Sequence, residues 1–162
     1  AKKAYLPYKI LAAQSGLVKY GRNNITYSEK FGSYHRIAGF VSDFPCSEKQ
    51  FGDLELLEKC KTCSACLKNC PTQAIQEERF IIRAEKCLTF HNEKESEVNF
   101  PEWIDPSWHN CLVGCMRCQW ICPANKVVQN SIQEGPTFTL EETKEILSNP
   151  NYEELKTSLI FG

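Results

Sequence analysis

The chain has 162 residues, ten cysteines and a formal net charge of -1 at pH 7. Its lysines and arginines are scattered, so the sequence has no basic patch of the kind that binds nucleic acid. No stretch approaches the roughly eighteen consecutive apolar residues of a membrane span, which argues against a membrane partner. The cysteines occur in runs and not evenly along the chain, and this predicts metal ligation in a reducing cytoplasm and not a secreted disulfide framework.

The N-terminal third reads as a small piece of an α/β fold. Apolar residues at helical spacing predict a helix over residues 7–15 that Gly16 closes. Two β-rich runs, residues 24–27 and 36–42, predict strands, and the second is apolar enough to be interior. One helix and two strands cannot form a self-sufficient core. We therefore expect residues 1–52 to be the end of a larger domain whose first half is not in this chain.

The most specific pattern in the sequence is a cysteine run at residues 60–71. It reads Cys-x2-Cys-x2-Cys-x3-Cys-Pro, the spacing of bacterial ferredoxin ligands to a [4Fe–4S] cluster. The first three thiols of such a run hold one cluster and the fourth ligates another. Zinc sites more often use two separated cysteine pairs, so zinc is disfavoured. A short helix with Asp53 as its N-cap is predicted to lead into the run.

A second run at residues 115–123 reads Cys-x2-Cys-x3-Cys-Pro and lacks the first cysteine, since Leu112 stands in its place. Either Cys111 or Cys87 could replace the missing thiol, whereas Cys46 fits neither spacing and is predicted to be a free structural cysteine. By exchange of ligands between the runs, the first cluster is predicted to bind Cys60, Cys63, Cys66 and Cys122. The second cluster is predicted to bind Cys70, Cys115, Cys118 and the eighth thiol.

The C-terminal part reads as helical. Residues 139–142, Thr-Leu-Glu-Glu, form a capping box that predicts a helix to about Leu147, and a further short helix is predicted over residues 152–159. We therefore divide the remaining chain into a double-cluster domain, residues 53–130, and a helical extension, residues 131–162.

Several motifs resemble those of the family of epoxyqueuosine reductases and reductive dehalogenases, and they occur in the family's order. Besides the cysteine runs they are Leu6-Pro-Tyr-Lys, Ala13-Gln-Ser-Gly16-Leu17, Gly21-Arg22-Asn23, Phe31-Gly32-Ser33, Arg36 and Ser42-Asp43-Phe44-Pro45. The resemblance implies an α+β fold class, with a partial nitroreductase-like α/β segment followed by a mainly helical, ferredoxin-like double [4Fe–4S] domain. It also implies cobalamin as a further cofactor, to which the clusters pass electrons.

The resemblance extends to individual residues. The segment over residues 79–89 matches the family's segment with a lone ligand cysteine, which favours Cys87 over Cys111. Carried over by position, the residues near the corrinoid would be Gly21, Arg22, Asn23, Gly32, Ser33 and Arg36. The same glycines could instead be hairpin turn residues, and Arg36 a surface residue. Where epoxyqueuosine reductases have two arginines in this turn, the chain has Tyr34 and Arg36, which points towards dehalogenase-like relatives.

The implied partners are the missing N-terminal half of the reductase domain and an electron donor such as a ferredoxin or flavodoxin. Because the family's proton donor lies in that first half, this chain is not expected to be catalytic alone. The alternative function is a stand-alone two-cluster ferredoxin-type carrier. A structural zinc module is a more distant alternative.

Overall fold

The structure, a computed structural model, describes residues 6–45, 51–78, 81–94, 99–111, 113–131, 135 and 137–148. The chain divides into two compact units, residues 1–131 and 132–162. The helices and strands of the first unit are α1 (Tyr8–Gln14), β1 (Lys19–Tyr20), β2 (Thr26–Tyr27), α2 (Ala65–Asn69), α3 (Leu88–Asn92) and α4 (Arg117–Trp120). Short 3₁₀ helices lie between or after them at Glu58–Lys61, Ala84–Lys86, Pro106–Trp108, Pro123–Asn125 and Gln129–Ser131. The second unit contains α5 (Leu140–Ser148).

Helix α1 confirms the helix predicted over residues 7–15 and ends as the sequence indicated. Gly16 has a φ of 77°, and its N–H donates to the Ala13 carbonyl at 3.0 Å. The Leu17 N–H donates to the Ala12 carbonyl at 3.0 Å. These paired bonds satisfy carbonyls that the helix end would otherwise leave free, and the left-handed conformation favours glycine.

Strands β1 and β2 form an antiparallel hairpin, with Lys19 opposite Tyr27 and Tyr20 opposite Thr26. Strand β2 confirms the strand predicted over residues 24–27, although it is shorter. Its partner β1 was not predicted from the sequence. The hairpin nevertheless fixes the position of the loop of residues 21–25, which connects its two strands.

The strand predicted over residues 36–42 was wrong. The described structure has no strand there, and Phe40 and Val41 are 79% and 61% exposed, so the segment is not interior either. A strand needs the backbone groups of a neighbour, and the outer edge of β1 is taken by a bridge between Tyr20 and Leu56 instead. Apolar composition alone therefore did not decide the conformation of this segment.

The helix predicted to begin with Asp53 as N-cap was also wrong, because the backbone here pairs with β1. The Tyr20 N–H donates to the Glu55 carbonyl at 2.9 Å, and the Leu57 N–H donates to the Tyr20 carbonyl at 2.8 Å. These bonds keep the chain extended until the 3₁₀ helix Glu58–Lys61 begins. Tertiary pairing thus overrides the local capping signal.

The buried apolar side chains of the first unit form small groups. One group combines α1 with the hairpin, through Ala12, Ala13, Val18 and Tyr20, with Ile37 packed against it. Further buried apolar residues lie between the two cysteine runs, at Ala74, Ile75, Leu88 and Ile104. No helix in the described ranges has the length and apolar character needed to cross a membrane.

The capping box at the start of α5 is confirmed. The Thr139 N–H donates to the Glu142 carboxylate at 2.7 Å, and the Glu142 N–H donates to the Thr139 hydroxyl at 3.2 Å. The helix ends at Ser148, close to the predicted Leu147. Cys46 and the helix predicted over residues 152–159 lie outside the described residues.

Candidate metal centre

The cysteines of the two runs lie on short helices and on the loops beside them. Cys60 is in a 3₁₀ helix, Cys66 is in α2, Cys118 is in α4, and Cys87 precedes α3. The side-chain N–H of Asn69 in α2 donates to the Arg117 carbonyl in α4 at 2.9 Å, which joins the two runs directly. None of the described cysteines forms a disulfide. They are Cys60, Cys63, Cys66, Cys70, Cys87, Cys111, Cys115, Cys118 and Cys122.

One group of thiols surrounds Cys66. Its pKa is raised to about 11, chiefly by burial and further by the charges of three neighbouring thiols. These neighbours are Cys60, Cys122 and Cys63. Burial also raises the pKa of Cys60, and the charges of Cys122 and Cys63 raise it further. A hydrogen bond from the Arg22 backbone N–H opposes this rise. Cys122 of the second run therefore lies close to thiols of the first run, which are more than fifty residues earlier in the chain.

A second group of thiols surrounds Cys115. Burial raises its pKa, and the charges of Cys87, Cys111 and Cys70 raise it further. The pKa of Cys118 is raised to about 12, chiefly by burial, while a hydrogen bond from the Asn23 side chain opposes the rise. A thiol must lose its proton to ligate iron, so binding of a cluster has to overcome these raised pKa values.

A cavity of about 430 Å³ lies beside the second group. Its lining includes four thiols, those of Cys70, Cys87, Cys115 and Cys118, and it also includes Asn23. Cys111 is not among its lining residues, although it neighbours Cys115. The residues present thus fit an iron–sulfur cluster in both the type and the number of their donor atoms.

Within the described part of the chain, no three His, Cys, Asp or Glu side chains are close enough together to hold a single metal ion. Thiolates around a four-iron cube stand farther apart than ligands around one ion, because each thiolate binds a different corner.

The hairpin loop contacts both groups of thiols. The Arg22 N–H donates to Cys60 Sγ at 3.5 Å, and its guanidinium Nη2 donates to the Cys60 carbonyl at 2.7 Å. Asn23 donates through Nδ2 to the Tyr27 hydroxyl at 2.9 Å. Burial raises the pKa of Tyr27, and a hydrogen bond from its hydroxyl to Cys122 raises it further. Arg22 and Asn23, predicted from the resemblance to lie near a corrinoid, contact the cysteine runs.

The other predicted corrinoid residues lie in the turn after the hairpin. Gly32 has a φ of 54°, and a side chain at this position would collide with the Asn125 amide. The Ser33 N–H donates to Asn125 Oδ1 at 2.9 Å, and the Ser33 hydroxyl donates to Gln119 Oε1 at 2.8 Å. The side chain of Arg36 is exposed. Gly21 also has a close neighbour, because an added Cβ would lie 2.5 Å from the Tyr27 ring.

Sequence reasoning missed Tyr27 and Asn125. Tyr27 was read only as part of a strand, and Asn125 only as a residue that follows the second run. Both are buried. Asn125 accepts a hydrogen bond from the Ser33 N–H of the N-terminal part of the unit, and burial, together with the nearby charge of Cys122, raises the pKa of Tyr27. A buried tyrosine or asparagine needs a partner for its polar atoms, but the sequence does not say which partner it has.

The comparisons with known proteins agree with this geometry. Residues 59–125 match the family described as the 4Fe-4S double cluster binding domain. The chain is 31% identical over 118 residues to the epoxyqueuosine reductase of Synechocystis sp., covering 73% of this chain and 39% of that protein. It is 32% identical over 124 residues to the epoxyqueuosine reductase of Escherichia coli, covering 76% of this chain and 31% of that protein.

The fold matches as well. The solved structure of epoxyqueuosine reductase from Bacillus subtilis superposes with a TM-score of 0.63 at 26% identity, covering 77% of this chain and 32% of that chain. This chain is similar to epoxyqueuosine reductases over about three quarters of its length. It spans 39% and 31% of the length of the two curated relatives. The similarity to epoxyqueuosine reductases and the double-cluster region predicted from the sequence are confirmed, whereas the likeness to reductive dehalogenases, the nitroreductase-like segment and cobalamin remain predictions.

Proposed function

We propose that this chain is the iron–sulfur portion of a cobalamin-dependent reductase, and that it relays single electrons through two [4Fe–4S] clusters to a corrinoid. The observation that carries the proposal is the gathering of thiols from distant parts of the chain into two groups within the region that matches the double-cluster family. Clusters of this type exchange single electrons at potentials that the surrounding protein tunes.

The ligands we propose follow the two groups. Cys60, Cys63, Cys66 and Cys122 would hold the first cluster. Cys70, Cys87, Cys115 and Cys118 would hold the second. The cavity supports Cys87 as the eighth ligand, because Cys87 lines it together with three thiols of the two runs and Cys111 does not.

The chain's own residues have two tasks in this function. The cysteines fix the cofactors, and the bond between Asn69 and Arg117 holds α2 and α4 at a constant separation. Burial of Cys60 and Cys66 keeps water away from the ligand sulfurs, which affects the potential of a cluster. Neither task requires a proton donor.

The corrinoid is the finer part of the proposal. Arg22, Asn23 and Ser33 contact the cysteine runs within this unit, so they would meet a corrinoid only on its cluster side. We propose that the rest of a longer reductase domain holds most of the corrinoid and also covers the exposed apolar segment around Phe40 and Val41. A reduced ferredoxin or flavodoxin would supply the electrons.

The test starts with anaerobic preparation of the chain and reconstitution of its clusters, followed by counts of iron and sulfide. Cob(II)alamin is then titrated into the protein while the electron paramagnetic resonance spectrum is recorded. We expect about eight irons per chain, from two four-iron clusters, and a perturbed cobalt signal. Arg36→Ala should weaken the cobalt perturbation, whereas Lys30→Ala, which removes another exposed cation of the same turn, should leave it unchanged.

The possible results of this experiment distinguish the electron relay from the stand-alone carrier and from the structural zinc module. An iron count well below eight, or clusters that dithionite does not reduce, would contradict the electron relay itself. A full iron count with an unchanged cobalt signal would contradict the corrinoid part and favour the stand-alone carrier. Zinc in place of iron in protein isolated without reconstitution would favour the structural module.

A further inference from the structure

Arg22 in the hairpin loop contacts Cys60 at two of its atoms. The Arg22 backbone N–H donates to Cys60 Sγ at 3.5 Å, and the guanidinium Nη2 donates to the Cys60 carbonyl at 2.7 Å. Cys60 itself is only 8% exposed, so these contacts lie away from bulk water. A backbone contact and a side-chain contact to the same cysteine together fix the guanidinium beside the first group of thiols.

The hairpin loop leaves the Arg22 N–H available for the cysteine. The Gly21 N–H donates to the Ile25 carbonyl at 2.8 Å, and the Asn24 N–H donates to the Gly21 carbonyl at 2.9 Å. These two bonds close the loop around Arg22 without using its N–H, which a buried backbone donor needs a partner for. The contact with Cys60 is therefore set by the fold of the loop and not only by a long side chain.

The positive charge of Arg22 has no carboxylate partner in the part of the chain that the structure describes. The ion pairs found there join Lys19 to Glu55 and Lys61 to Glu58, and neither includes Arg22. Arg22 Nε is also buried, and among the described residues it has no hydrogen-bond partner. A guanidinium keeps its charge in proteins, and burial of a charge without a counter-charge is unfavourable. The loop therefore presents an uncompensated cation to the first group of thiols.

We propose that Arg22 is the counter-charge of the first cluster and raises the reduction potential of that cluster. This inference rests on the proposed function, and it makes Arg22 a positioning residue that acts through the ligand Cys60. A four-iron cube with four thiolate ligands has a net negative charge, and uptake of one electron from a donor makes that charge more negative by one. A nearby cation and an N–H bonded to a ligand sulfur both stabilise the reduced form more than the oxidised form, so the potential rises.

The test is a redox titration of the reconstituted chain with dithionite, without corrinoid, followed by electron paramagnetic resonance. In Arg22→Met, the potential of the first cluster should fall by up to about 59 mV, which is a tenfold change in the ratio of reduced to oxidised cluster for one electron. In Arg22→Lys, which keeps a positive charge, the fall should be smaller. The second potential should move in neither variant. The two clusters are told apart in Cys87→Ser protein, which should retain only the first.

Lys61→Met is the matched control. Lys61 follows Cys60 directly in the chain, but its side chain is 63% exposed and its ammonium lies 2.7 Å from the Glu58 carboxylate. Solvent and the carboxylate screen this charge, so both potentials should remain those of the unaltered chain. A shift in Lys61→Met as large as that in Arg22→Met would overturn the proposal, because any cation near the first run would then act alike.

A further variant guards against failure of Arg22→Met to assemble. Replacement of Arg22 by citrulline, incorporated at a reassigned stop codon, keeps the length and planar end of the side chain but removes its charge, so the potential of the first cluster should fall. An unchanged potential in that protein would overturn the proposal, because the role of Arg22 would then be structural. If all the proteins that keep Cys87 contain about eight irons and no variant shifts a potential, this inference fails and the electron relay stands. If the unaltered chain binds no clusters, both fail together.

Discussion

Asn125 donates a hydrogen bond from Nδ2 to the hydroxyl of Ser33 at 2.7 Å, across 92 residues of sequence. Its Oδ1 accepts the Ser33 N–H at 2.9 Å, and its Nδ2 also donates to the Gln119 carbonyl at 2.8 Å. The side chain is 0% exposed. This buried amide joins the turn after the hairpin to the second cysteine run, so the N-terminal segment is part of the cluster region and not an appendage.

Replacement of Asn125 should therefore destabilise the unit strongly. Asn125→Ala leaves the buried Ser33 N–H without a partner and removes one of two donors to the Gln119 carbonyl, at a cost of about 2 kcal/mol. The measurement is the midpoint of guanidinium-induced loss of cluster absorbance under anaerobic conditions. Gln129→Ala is the control, because it removes an exposed hydrogen bond to the Trp120 carbonyl and should cost about 0.5 kcal/mol or less. Equal midpoints for the two variants would contradict the structural role of Asn125.

The eighth ligand can be decided by counting iron. Cys87→Ser should reduce the iron content from about eight to about four per chain, because the second cluster loses a ligand while the first keeps all of its own. Cys111→Ser, which alters a neighbour of Cys115 outside the cavity lining, should keep the full content. The opposite pattern would assign Cys111 as the ligand. Loss of all iron in Cys87→Ser would mean that the clusters do not assemble independently.

A side chain at position 21 should disturb the Asn23–Tyr27 pair. In Gly21→Ala, the new Cβ would lie 2.5 Å from the Tyr27 ring and 2.6 Å from Asn23 Oδ1, and both side chains are buried. Overpacking of this kind costs about 1–3 kcal/mol. We expect faster loss of the clusters on warming, followed by absorbance. The corresponding change at Gly135, where an added Cβ meets nothing within 4 Å, should have no effect, and similar rates for the two variants would contradict the close packing at Gly21.

The capping box should control the start of α5. Thr139→Ala removes the acceptor for the Glu142 N–H, and loss of such a cap costs about 1 kcal/mol, or roughly fivefold faster amide exchange in the helix. Lys144→Ala, a change within the same helix, should leave exchange of the first turn unaltered. If Thr139→Ala exchanges no faster than Lys144→Ala, the cap contributes nothing to α5.

The same box makes the helix start sensitive to acid. The backbone N–H and side chain of Thr139 hold the pKa of Glu142 below its usual value. A depressed carboxyl pKa contributes stability that is present above the usual pKa and is lost as the pH falls through the lowered one. Titration of the Glu142 carboxyl by nuclear magnetic resonance should therefore give a lower midpoint in the unaltered chain than in Thr139→Ala. Equal midpoints would show that the Thr139 hydroxyl does not contribute to the lowered pKa of Glu142.

The sequence by itself determined the features that depend on nearest neighbours along the chain. The spacing of the cysteine runs indicated the type of cofactor, Gly16 ended α1, and Thr139 with Glu142 began α5. These are local interactions, in which the partners are a few residues apart and the geometry of one turn decides the outcome. For the same reason, the motifs were sufficient to predict the similarity to epoxyqueuosine reductases that the comparisons also find.

Only the tertiary structure decided which other parts of the chain these elements contact. Residues 36–42 have the composition of a strand, but Leu56 occupies the edge of β1, so they are left without a partner strand in the described structure. Tyr27 carries no signal in the sequence and Asn23 was singled out only by resemblance to a family motif, yet the hairpin brings both to cysteines nearly a hundred residues later. Such contacts depend on which backbone groups remain free once the chain has folded, and because the partners are far apart in sequence, no local period or spacing encodes them.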